Sequence, residues 1–169
     1  MDPRAMAAAL VADREFARTP GHPSIHPLAE QLAKLPLREV NEQLVAALPT
    51  ADAVIRASII YVLSHEGDAS LAALLIPYLD DAEPNVRAQV AKWIGRSRDA
   101  SRVEELLQAL ARETRDGSLD ARQTEAMLAQ IAALGELRDA RARAPLQDLL
   151  VQTKDGRVKT AVQEALSKM

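Results

Sequence analysis

The sequence predicts an all-α protein, with an N-terminal leader helix followed by about four consecutive helix pairs. Three observations carry this. The 169 residues are 48% hydrophobic but only 2% aromatic, and the apolar share is mostly Ala, Leu and Val, so the aromatic side chains that favour strands are scarce. From Pro27 onward, helix-length segments alternate with short Pro, Gly or Asp punctuation, and no segment sustains strand alternation. One spacing of apolar residues, with offsets of four, seven and eight, returns four times along the chain.

The leader comes first. Residues 5–17 place Met6, Leu10, Phe16 and Ala17 at helical spacing, and "TPGHPSIHP" at 19–27 then breaks any helix through its prolines and glycine. Residues 1–35 are therefore expected to form a leader helix and a Pro-rich linker, ahead of a repeat domain over 36–169. The opening "MDPRAM" also fits an expression scar joined to a start at Met6.

The second helix of each pair carries the recurring spacing. Ile55, Ile59, Val62 and Leu63 match Val86, Val90, Trp93 and Ile94 in "NVRAQVAKWIG", and Val158, Val162, Ala165 and Leu166 repeat the same offsets near the end. The fourth copy, "AMLAQIAALGE", keeps Ala126, Ala133 and Leu134 in register but puts Gln130 where the others hold an aliphatic residue. Successive copies lie 31, 40 and 32 residues apart. The polar "RETRDGSLDARQ" at 112–123 has room for the longer step, as an enlarged turn or as extended helix ends.

An amphipathic partner segment precedes each copy: Leu44, Val45 and Leu48; Leu71, Leu74, Leu75 and Leu79; Val103, Leu106, Leu107 and Leu110; Leu146, Leu149 and Leu150. Asp52 and Glu83 are placed to start the second helices, and Pro84 suits a first turn. The pairs are expected over about 36–65, 69–97, 99–136 and 138–168.

"LIPYLDDAEPNVRAQVAKWIGRSRDA" and "APLQDLLVQTKDGRVKTAVQEALSKM" resemble HEAT repeats, and the short 31 to 32 spacing most resembles the subgroup related to phycobilisome-lyase subunits. The resemblance covers about residues 36–169. It implies a right-handed α-solenoid whose second helices line a concave face, and a protein that works as a scaffold or adaptor. Members of the family often carry an Asp six residues before an Arg, the two forming a ladder between repeats. Asp81 and Arg87 fit that spacing, whereas Thr50 precedes Arg56, Thr153 precedes Lys159, and Met127 takes the Arg position of the third copy.

Composition narrows the chemistry. The absence of Cys removes disulfides, thiolate metal sites and a cysteine nucleophile. A formal net charge of −3 gives no general attraction to nucleic acid or an anionic membrane. Asp13, Arg14 and Glu15 interrupt the apolar start before a signal-peptide core forms, and no later segment reaches spanning length, so a soluble, cytoplasmic protein is expected. His22 and His26 are four apart, but Pro23 and Pro27 force extended backbone rather than a metal-binding helix face. Deoxyhypusine hydroxylases are HEAT-repeat enzymes that need His-Glu pairs in several repeats. Here His65-Glu66 is the one such pair, and Arg87-Ala88 and Lys159-Thr160 stand where others would be. With neither a Gly-rich phosphate loop nor paired carboxylates in an apolar context, the chain is expected to be non-catalytic and without cofactor or metal.

Trp93 occupies an interior offset and is expected in the core. The residues opposite the apolar stripe of the second helices are Ser58, Tyr61 and His65; Gln89, Lys92 and Arg96; and Ala161, Glu164 and Lys168. Arg98 and Arg102 lie just beyond the second of these helices and extend a basic cluster with Lys92 and Arg96. The expected partner-binding residues are thus Tyr61, His65, Gln89, Lys92, Arg96, Arg98 and Arg102, facing an acidic segment of a partner protein of unspecified identity. The alternatives are a phycobilisome-lyase-like chromophore-handling protein and a nucleic-acid-binding HEAT module, the latter ranked lower because Tyr61 alone is an aromatic well placed for stacking. Self-assembly through an apolar edge of the C-terminal repeat, giving a homo-oligomer, is a further expectation.

Overall fold

The computed structural model describes residues 2–19, 21, 24–35, 41–65, 69–116 and 120–169, and among these it contains helices and no strand. The chain divides into two compact units, Met1–Asp68 and Ala69–Met169.

The first unit begins with α1 (Pro3–Ala12), started by Pro3 at the first turn and by the Asp2 carboxylate, which accepts from the Ala5 N–H at 3.1 Å. Met6, Ala7 and Leu10 form its buried side. The helix stops four residues short of Phe16, which the spacing alone had assigned to it. Asp13 leaves helical geometry at ψ 76°, and its carboxylate accepts from the Phe16 N–H at 3.1 Å, starting a separate 3₁₀ turn over Phe16–Arg18.

Helix α2 (Pro27–Leu32) is capped by His26. The His26 ring accepts from the Leu28 N–H through Nδ1 at 3.1 Å, which leaves Nε2 to donate to Asp13 at 3.2 Å. The backbone N–H of His26 donates to Ser58 Oγ at 2.8 Å, and Phe16 lies against the ring with centroids 4.2 Å apart. His26 is thus a buried capping residue that holds the leader to the first pair; His22 lies outside the described residues. That pair is α3 (Asn41–Ala47), continued by a 3₁₀ turn over Leu48–Thr50, and α4 (Ala53–Leu63), which Asp52 caps through the Val54 and Ile55 N–H groups. Helix α1 packs on α2 and α3, and α2 packs on α4.

The second unit holds three pairs. In the first, Pro77 cannot supply an N–H to an α-helical ladder, so α5 (Ala72–Leu75) gives way to a 3₁₀ segment over Ile76–Asp80. Its partner α6 (Pro84–Ser97) starts on Pro84 with Glu83 as the N-cap residue, but no Glu83 side-chain bond forms; the nearby turn is closed by Asp81, which accepts from the Glu83 N–H at 2.9 Å. The second pair is α7 (Val103–Glu113) and α8 (Ala121–Leu137), the latter opened by a reciprocal capping box between Asp120 and Gln123. The third is α9 (Arg143–Gln152) and α10 (Gly156–Ser167), with Asp155 capping through the Arg157 and Val158 N–H groups. The longer spacing in the middle of the chain is taken up in part by α8, which at 17 residues exceeds α6 at 14 and α10 at 12.

Helix α6 packs along α8, and α8 along α10. The repeating offsets make this seam: Val86, Val90, Trp93 and Ile94, then Ala126, Gln130, Ala133 and Leu134, then Val158, Val162 and Ala165 are all buried. Small residues set how closely the helices approach. A Cβ built on Gly95 would stand 3.1 Å from the Ala133 Cα, and one on Gly135 only 2.8 Å from the Ala165 Cα. Helices α6 and α8 thus each put a glycine nine residues past the leading apolar position against the alanine seven residues into the next second helix.

The exception in the register, Gln130, is fully buried, and its Nε2 lies 3.5 Å from Glu113 Oε1. Glu113 forms a two-pronged ion pair with Arg87, at 2.6 Å from Nε and 3.0 Å from Nη2. Arg87 Nη1 donates to the main-chain carbonyls of Asp81 and Ala82 at 2.8 and 3.1 Å, and the charge it meets is Glu113, at the end of the next first helix. Arg56 makes the corresponding turn contact in the first unit, to the Ala51 carbonyl at 2.6 Å.

The last repeat leaves Leu149, Leu150 and Leu166 half-buried. Helix α10 exposes Lys159, Thr160, Gln163 and Ser167, and among the described residues Val151 of α9 is the exposed large apolar side chain, at 86%.

Candidate functional site

Residues on the outward side of α6 and α8 enclose a groove of about 360 Å³ lined by Lys92, Gly95, Arg96, Arg98, Ala129, Ala132, Ala133 and Glu136. Its composition follows from the helix register. The same tight approach that requires Gly95 against Ala133 leaves a floor without side chains beyond Cβ, and Lys92, Arg98 and Glu136, each three residues away, together with Arg96 supply long charged walls.

Lys92, Arg96 and Arg98 are exposed, and all three border this groove. Opposite them, Glu136 accepts from Lys168 Nζ, just past the end of α10, at 2.5 Å. That hydrogen bond and the charge of Lys168 hold the Glu136 carboxyl below its ordinary range, with Arg98 and Arg138 acting in the same direction and partial burial opposing them. Three cations, Lys168, Arg98 and Arg138, thus act on Glu136, and Lys92 and Arg96 border the same groove. Among the described residues, Lys92 and Arg98 make no hydrogen bond or ion pair.

Arg98 and Arg138 also share an unusual backbone. Each ends its helix in the left-handed region, at φ 53° and 54°, where a residue with a Cβ is strained and glycine is the ordinary choice. The following aspartates start the next 3₁₀ turn: Asp99 accepts from the Ser101 N–H at 3.0 Å and Asp139 from the Arg141 N–H at 2.9 Å. "GRSRDAS" and "GELRDAR" are thus the same structural joint, 40 residues apart. That likeness was the available signal for Glu136 and Arg138, which the residue-by-residue reading of exposed faces passed over.

Of the expected residues in the second unit, two do not line the groove. Gln89 is 4% exposed, with Nε2 3.5 Å from Asn85 Oδ1. Arg102 is held away from the groove in its own turn by Asp99 at 3.3 Å and Glu105 at 3.1 Å. Ser58, expected on the exposed side of α4, is instead buried as the acceptor for His26. In the first unit Tyr61 is half-buried and His65 exposed, with their rings edge-on at 4.6 Å and His65 Nδ1 2.8 Å from the Tyr61 carbonyl. Glu66 lies outside the described residues. Trp93 is buried, as its offset requires.

Among the described residues no group of three or more His, Cys, Asp or Glu side chains is placed to hold a metal ion, and no helix is long and apolar enough to cross a membrane.

Comparison with curated proteins finds no match to this chain. The family model described as HEAT repeats matches residues 41–126, from the start of α3 into α8. That span takes in the Asp52-capped α4, the Pro84-started α6 and the intervening first helices, which are the elements whose register the sequence repeats, and with that match the chain belongs to the HEAT-repeat family.

Proposed function

We propose that the protein is a non-catalytic adaptor that holds a partner protein against the second-helix face of the unit formed by residues 69–169. HEAT repeats commonly serve as protein-interaction scaffolds. The observation that carries the reading here is the α6–α8 groove, with an apolar floor and an excess of cations on a chain whose net charge is −3. A preformed groove on packed helices binds with little ordering cost, and exposed charges speed encounter and select the partner. The groove offers no aromatic side chain on which a base could stack, which favours a protein over a single-stranded nucleic acid.

The test is a photo-crosslinking amino acid placed at Lys92, with the exposed Gln108 of α7 as the control. The adaptor reading expects a discrete adduct in cells from position 92 and none from position 108. Equal yields at the two positions, or adducts from position 108 alone, would reject this face.

A further inference from the structure

Glu136 sits among Lys168, Arg98 and Arg138 in the manner of a ligand already bound. It is the carboxylate on the α8 side of the groove, whereas Lys92, Arg96 and Arg98 supply three cations from the α6 side. The floor of Gly95, Ala129, Ala132 and Ala133 has nothing longer than a methyl group, so a main chain can lie close to the helices there. Large apolar side chains, by contrast, would find no pocket to fill.

We propose that the groove takes an extended, acidic, small-residue peptide segment of the partner, and that Glu136 is an internal surrogate for its carboxylate. This rests on the adaptor reading above and names what the partner presents. On docking, an Asp or Glu of the segment approaches Lys92 and Arg98, which make no hydrogen bond or ion pair among the described residues, and competes with Glu136 for Lys168. The surrogate keeps the cation cluster from being fully uncompensated when the groove is empty and sets a threshold that weakly acidic sequences do not pass. Arg98 and Arg138 fit the same role, since both keep a cation at a joint where glycine would be less strained. Charge complementarity selects the occupant, because a neutral segment would leave the cations desolvated and unpaired.

The proposal singles out one substitution that should strengthen binding. Fluorescence anisotropy of the full chain would be followed with a labelled alternating Asp/Gly peptide, a Ser/Gly peptide of equal length and a labelled oligothymidylate, all at fixed ionic strength. Glu136→Gln is expected to tighten the Asp/Gly peptide by about threefold or more, and Arg98→Ala or Lys92→Ala to weaken it by about three- to tenfold. The Ser/Gly peptide is expected not to bind. Circular dichroism establishes that each variant keeps the parent helicity, and Gln163→Ala, on the exposed side of α10, serves as a neutral control.

An unchanged or weaker affinity in Glu136→Gln would overturn the surrogate role. Oligothymidylate binding as tight as the Asp/Gly peptide would overturn the choice of occupant. Loss of the peptide result alongside a retained adduct from position 92 would sink the acidic segment and leave the adaptor reading standing.

Discussion

Arg98 and Arg138 occupy backbone angles that an L side chain adopts at a cost, while glycine does so freely. If only stability mattered, glycine would serve better at both joints, and the first repeat carries Gly67 at the matching place in "GDAS". Arg98→Gly and Arg138→Gly are therefore each expected to raise stability by about 1 kcal/mol in denaturant unfolding, while Arg98→Gly weakens the acidic peptide. A fall in stability would mean that the arginine side chains repay the strain through contacts in the folded state. Beside them, Asp139 has a depressed carboxyl. Hydrogen bonds from the Arg141 side chain and backbone N–H lower its carboxyl from 3.8 to about 2. Because the folded value is the lower one, its contribution is complete above about 3.8 and disappears as pH falls through about 2. The difference in thermal midpoint between the parent and Asp139→Asn should be constant above that window and close to zero below it.

At the scale of helices, the seam between second helices depends on two glycines with unequal room. Alanine would ordinarily stabilise a helix interior by up to about 1 kcal/mol over glycine. At Gly135 the added Cβ would meet the Ala165 backbone at 2.8 Å, closer than real contacts allow, so α8 and α10 must separate. Gly135→Ala is expected to cost about 1–3 kcal/mol net, and Gly95→Ala, with 3.1 Å to Ala133, distinctly less. Urea unfolding of the two variants side by side checks the order, and a larger loss at Gly95 would contradict it.

These elements also show what the sequence makes legible. The apolar offsets placed every second helix correctly, because burial in a stack of pairs is set by a period that any window of the chain displays. The basic trio of Lys92, Arg96 and Arg98 was legible for the same reason, as the complement of that stripe. Gln89 and Ser58 were not, because an angle about one helix axis says nothing of how far a neighbouring element wraps around it. Glu136 and Lys168 meet across helices 32 residues apart, and only an alignment of equivalent positions between repeats brings them together. The early end of α1 turned on one Asp13 side-chain bond to the Phe16 N–H, a local competition that spacing does not record.

Across the larger unit, repeat stacks hold together through interfaces between neighbours, so a single strong contact between two pairs bears on the cooperativity of the whole. Arg87 and Glu113 make such a contact, with side chains only 14% and 5% exposed, joining α6 to the end of α7. Removing one partner leaves the other charge buried, which typically costs about 3–5 kcal/mol, whereas replacing both by apolar residues of similar size is often neutral or better. Against a total of roughly 5–15 kcal/mol for a domain, Glu113→Ala should unfold at markedly lower urea and bring Gln130, whose Nε2 lies 3.5 Å from Glu113, into an unsatisfied interior. The paired change Arg87→Met with Glu113→Leu should recover most of the loss, although Met gives up the Arg87 bonds to the Asp81 and Ala82 carbonyls. Those carbonyls separate the two explanations. If the double variant remains as unstable as Glu113→Ala, the hairpin turn depends on Arg87 as a hydrogen-bond donor, and Arg87→Lys, which keeps a donor while losing the two-pronged pair, should then be the milder single change. If the double variant recovers, the pair is a means of joining adjacent repeats in register that apolar packing can replace.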